Sequence, residues 1–129
     1  MNNKLKNQLL GGKFIREPIE LLSGIFYINL MSVYEAILCE SESRTLVEKL
    51  IADGADQRIS KSVTENAALA SFCLYDKNDN HVFKDAFNAL SVLTPEELLR
   101  IANKYNEVQK RFLSFDKLTP KMLYKLKKN

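Results

Sequence analysis

Asp76, Asn78 and Asn80 stand at alternate positions in the run Asp76-Lys77-Asn78-Asp79-Asn80-His81, the spacing with which an EF-hand loop opens its calcium site. Such a loop also needs glycine at its sixth position and a bidentate glutamate at its twelfth. Here those positions hold His81 and Phe87. Hinge and strongest ligand are both missing, so an Asx-rich turn between helices is the better reading. His81 is the sole histidine, and Asp76, Asp79 and Asp85 do not surround it with a metal-ligand spacing. Cys39 and Cys73 each sit inside an apolar helical pattern with no basic neighbour to ionise them. No serine lies in a strand–turn–helix context, and four glycines, two of them Gly11 and Gly12, cannot build a phosphate cradle. The sequence predicts neither catalysis nor a cofactor or metal site. It offers surfaces.

The elements that would carry those surfaces are mostly helical. Residues 1–13 read as a flexible basic arm, loosened by Gly11-Gly12 at its junction with the body. Phe14 to Leu22 alternates loosely and predicts a short strand, kept at an edge by Pro18. Ser23-Gly24 then opens a helix whose Phe26, Leu30, Val33 and Ile37 fall on one face, with Tyr27, Met31 and Tyr34 beside them, a broad stripe that predicts a well-buried helix. A second helix follows from Ser41–Ser43 with Leu46, Val47, Leu50 and Ile51 inward, and Asp53-Gly54 ends it. Ile59, Val63, Ala67, Ala70 and Leu74 mark a third, whose Ala67, Ala68, Ala70 and Ser71 would let a neighbour approach closely.

After the Asp76–Asn80 turn, Val82-Phe83 leads into a short helix over Lys84–Leu90. Thr94-Pro95-Glu96-Glu97 is the best local signal: an N-cap, proline at N1 and glutamate at N3, a capping box. Leu98, Ile101, Tyr105, Val108 and Phe112 share one face after it. The pattern Leu93-Thr94-Pro95-x-x-Leu98 recurs as Leu118-Thr119-Pro120-x-x-Leu123, a second helix start of the same chemistry. The fold class expected is mainly α: a compact bundle of five to six helices over residues 14–112, with a short N-terminal strand. Residues 113–129 form a basic C-terminal helix or tail.

Bulk properties agree with one domain. The chain has 129 residues, 46% hydrophobic and 27% charged, enough for a modest core in a globular protein. Its net charge of +3 conceals a division. Lys4, Lys6, Lys13 and Arg16 stand in residues 1–16 without an acid. Residues 17–105 hold eight bases and fourteen acids, and residues 106–129 hold seven bases and two acids. An acidic body between basic ends is expected. Two cysteines in apolar patterns, no signal-peptide run and no stretch long enough to span a bilayer together predict an intracellular protein without a membrane anchor.

Phe112, Phe115, Met122, Leu123 and Leu126, with Leu118, are the candidate partner-binding residues, an amphipathic grip for a partner helix. Packing on the chain's own core is the competing reading. The lysines among them could also contact nucleic-acid phosphates. Arginine is scarce there and no helix-turn-helix pattern appears, so solvated ends outweigh a nucleic-acid surface.

Residues 66–106 resemble the small tail assembly chaperones of long-tailed bacteriophages and prophages. The resemblance lies in an order of features: Ala67-Ala68-Leu69-Ala70, then Leu74-Tyr75-Asp76, a polar turn, Asn80-x-Val82-Phe83 and Asp85 opening a short helix. Leu93-Thr94-Pro95-x-Glu97-Leu98, Ile101-Ala102 and Tyr105-Asn106 complete it, about a third of the chain. Proteins of that kind often carry glycine in the turn, where this chain has Lys77–Asn80. The resemblance implies a protein of the bacterial host's cytoplasm that coats the helical, aggregation-prone tape measure protein, helps recruit tail tube subunits and leaves before the tail is complete. Self-association into a homo-oligomer is compatible with it. Two alternatives stand beside it: a small nucleic-acid-binding regulator using the basic termini, and a helical structural or oligomerisation subunit.

Overall fold

A computed structural model describes residues 16–56, 58 and 60–113. In chain order they form β1 (Glu17–Leu21), β2 (Gly24–Ile28), α1 (Val33–Ala52), α2 (Lys61–Cys73), β3 (Leu74–Tyr75), α3 (Ala86–Val92) and α4 (Pro95–Leu113). The fold is mainly α with a small antiparallel sheet of order β1-β2-β3. Among the described residues there are four helices rather than five or six. The expected helix over Pro120–Lys127 lies outside the described residues.

The largest departure from expectation is at Ser23-Gly24, which turns a hairpin instead of opening a helix. Leu21 pairs with Gly24 and Ile19 with Phe26, leaving Leu22-Ser23 as the loop. Gly24 sits at φ +137°, a backbone conformation that L side chains rarely adopt. The run Ile25-Phe26-Tyr27-Ile28 then follows the preference of β-branched and aromatic residues for a pleated surface. Phe26, Leu30, Val33 and Ile37 fit a helical face, but Phe26, Ile28 and Leu30 fit alternation equally well. Alternation prevails: Ile28 and Leu30 are buried and Phe26 packs against the core. Pro18 does lie in an edge strand, opposite Tyr27.

The helix begins later, at Ser32. Its side chain accepts the Glu35 N–H at 3.1 Å, and the Glu35 carboxylate accepts the Ser32 N–H at 3.2 Å. This capping box commits the next 20 residues to one helix, merging the two expected there. Ser41 and Ser43 are therefore interior residues, not caps. Thr45 donates its hydroxyl to the Ser41 carbonyl, and Ser43 faces the core.

Ala67, Ala68 and Ala70 of α2 are wholly buried, and α2 touches α1, α3 and α4. Small side chains at the hub let three helices crowd one. Cys73 passes directly into β3, its carbonyl accepting the Asn29 N–H at 3.0 Å. The polar turn closes as an Asx structure. One Asp76 carboxylate oxygen accepts the Asn78 and Asn80 N–H groups at 2.8 and 3.0 Å. Asp79, at φ +66°, takes the left-handed position. That side-chain oxygen is thus occupied by its own turn.

Beyond its Thr94 capping box, α4 lies along β1 and fastens to it by side chains. Glu97 accepts the Leu22 N–H at 3.2 Å, Arg100 donates to the Glu20 carbonyl at 3.1 Å, and Arg111 meets Glu17 at 2.7 Å. These contacts occupy an edge that would otherwise invite pairing. The inward face of α4 buries Leu98, Ile101, Tyr105 and Val108, as its spacing predicts.

Candidate partner-binding surface

Of the residues expected to grip a partner, Phe115, Met122, Leu123 and Leu126 lie outside the described residues, and of Phe112 only the backbone, in α4, is described. The structure brings together a different set. Val33, Tyr34, Ile37 and Leu38 are 80, 69, 60 and 40% exposed. They stand at i, i+1, i+4 and i+5 on α1, which makes one stripe along the first half of the helix. Cys39, Ser43 and Leu46 set the buried side of α1, and at 100° per residue the stripe falls on the side opposite them. Val33 and Ile37, expected in the core, are therefore a correction. Once Phe26 to Ile28 is a strand, the helix phase is set by residues further along.

The second half of α1 shows what an ordinary solvent face looks like: Arg44, Thr45, Glu48 and Lys49 are exposed there. The apolar character of the first half is thus local. Its signal was present in the sequence. Ser32-x-x-Glu35 fixes the helix start, and projecting Leu46 and Leu50 back along the helix places Val33 and Ile37 outward.

Beside the stripe, a groove of about 570 Å3 separates α1, α2 and α4, with Ala36, Cys39, Ser43, Glu65, Leu69 and Tyr105 among its walls. The Tyr105 hydroxyl accepts the Met31 N–H at 3.2 Å, tying the foot of α1 to α4. Burial raises the Tyr105 phenol, partly offset by that hydrogen bond. Burial, then Glu42 and Glu65, pushes the Cys39 thiol up to about 11. Burial raises Cys73 further. Both thiols are protonated near neutral pH, so neither is a ready nucleophile. At the rim Arg44 pairs with Glu40 and Lys61 with Glu65.

A second apolar surface lies at the other end of α4. Leu21, Phe26, Val82, Phe83 and Leu93 line a groove of about 320 Å3 under the hairpin tip. Leu22 and Val92 stand 83 and 62% exposed at its edge. Glu97 lines it too, with both carboxylate oxygens engaged, one by Leu22 and one by Thr94. His81 forms an isolated antiparallel bridge with Tyr75, its ring tilted against the tyrosine ring with centroids 4.3 Å apart.

Among the described residues no three of His, Cys, Asp or Glu are grouped so as to hold a metal ion, and no helix is long and apolar enough to cross a membrane. Compared with protein-family models, with curated proteins and with solved structures, the chain gives no match.

Proposed function

We propose that this chain is a tail assembly chaperone of a long-tailed phage or prophage, a binding module without catalysis. Its α1 stripe holds an amphipathic segment of the tape measure protein while tail tube subunits assemble. The observation that carries this reading is the face of Val33, Tyr34, Ile37 and Leu38, exposed among the described residues, joined to the resemblance over residues 66–106. A helix seats on another helix through i, i+3 and i+4 anchors, and a long helical partner offers such anchors repeatedly.

Magnitudes favour a contact that is made and later released. Fully burying one such side chain contributes ~1.5–3 kcal/mol. Lost rotational and translational freedom offsets much of what four can gain. Many copies along one partner would bind firmly together and dissociate singly. The basic side chains of the body support a protein partner over nucleic acid. Arg16, Arg44, Lys49, Arg58, Lys61, Arg100, Lys104 and Arg111 each lie within 4.0 Å of a carboxylate, leaving few to meet phosphates.

Co-expression with the long helical protein encoded beside it tests the proposal. Co-purification that Ile37→Asp abolishes is the expected result. Adjacent genes encoding no tape measure or tail tube protein, or capture indifferent to Ile37→Asp, would sink it.

A further inference from the structure

We infer that residues 114–129 of the same chain seat on the α1 stripe when no partner is present, so that the protein screens its own binding face. This rests on the chaperone reading only for the identity of the competitor.

Three observations place the occupant. The first is reach. The Tyr105–Met31 hydrogen bond joins α4 to the foot of α1, and Tyr105 stands eight residues before the end of α4 at Leu113. At 1.5 Å per residue that is ~12 Å along the helix axis. The six residues 114–119, extended, span up to ~20 Å. The helix start that the sequence predicts at Thr119-Pro120 therefore comes within range of Val33.

The second is apolar register. Met122, Leu123 and Leu126 stand at i, i+1 and i+4, the spacing of Val33, Tyr34 and Ile37. Two helices with matching stripes can pack seam to seam. A short basic helix, marginal alone in water, gains its stability from such a seat.

The third is charge. The first half of α1 carries Glu35, Glu40 and Glu42 and no base; Glu40 pairs with Arg44, and Glu35 and Glu42 leave this part of the helix net acidic. Lys117, Lys121, Lys125, Lys127 and Lys128 face a single acid, Asp116, in residues 114–129. Attraction across the seam fixes the segment near the stripe, and salt weakens it. Residues 1–13 are basic as well, but they lack a capped helix start after which apolar residues repeat at this spacing.

The chain has no tryptophan, so the full-length Met122→Trp protein carries one fluorescent reporter. Without any partner, its emission should be shifted to the blue of free indole in water and should not change on dilution. Ile37→Asp should move it back to the red, with helicity by circular dichroism intact because Ile37 is 60% exposed. If that variant loses helicity, Val33→Asp at the first turn takes its place. Water-like emission in the parent, or a blue shift that survives the substitution, would overturn the inference. So would a blue shift that fades on dilution, which would make a second copy the occupant. Because no partner is present, failure here leaves the tape-measure proposal standing, and failure of co-purification leaves this inference standing.

Discussion

The Glu97 carboxylate accepts the Leu22 backbone N–H at 3.2 Å across 75 residues of sequence, while its other oxygen accepts the Thr94 N–H at 3.1 Å. One buried side chain therefore closes a helix cap and holds the hairpin tip against it. Glu97→Ala removes both bonds and leaves the Leu22 N–H without its partner. A loss of ~2–3 kcal/mol in urea unfolding is expected, the sum of a lost cap and a part-buried donor left unpaired. Glu96→Ala, on an 82% exposed side chain, should change stability by less than ~0.5 kcal/mol.

The Ala-rich hub tolerates added volume no better than lost volume. Ala70→Leu inserts three carbons where α2 is wholly buried. Overpacking should cost ~1–3 kcal/mol or more, read as a lower midpoint in thermal unfolding. Val108→Ala, removing two methyls from a residue with no exposure, should cost about 2 kcal/mol, in line with core truncations.

Gly24 separates backbone strain from steric fit. A Cβ there would meet nothing within 4 Å, yet φ is +137°. Gly24→Ala should therefore destabilise by ~1–3 kcal/mol through backbone conformation alone. Ser23→Ala in the adjoining loop should be nearly neutral.

The thiols report burial through pH. Cys39 is raised from 9.0 to about 11 by burial, with Glu42 and Glu65 adding to it. A raised folded-state value means the native protein holds its proton more tightly than the unfolded chain. Stability from this group is complete below about 9 and is lost as pH climbs through about 11. Tyr75, raised to about 12 by burial, extends the decline upward. Native protein at neutral pH should react slowly with a thiol-specific disulfide reagent, and both cysteines should react promptly once unfolded.

Much of this architecture could be read from residue types. Thr94-Pro95-x-Glu97 gave the start of α4, and its Leu98, Ile101, Tyr105 and Val108 face is the buried one. Asp53-Gly54 and the Asp76–Asn80 turn fell where their backbone chemistry requires. The hairpin did not, because the four-residue apolar run Ile25–Ile28, with two possible periods, satisfies a helix and a strand alike. The decision came from pairing with β1, a contact that no local pattern records. The outward stripe of α1 was hidden for the same reason: an apolar residue at helical spacing looks identical whether its helix turns it inward or outward. Val33 and Ile37 carried the right signal with the wrong side assigned.

Hydrogen exchange of the chain, alone and with the tape measure protein proposed as its partner, tests the proposed binding face most directly. Added protection is expected over residues 33–41 of α1, with the hairpin-tip groove unchanged. Protection confined to that groove, or a complex leaving α1 amides as they were, would contradict a partner seated on Val33, Tyr34, Ile37 and Leu38.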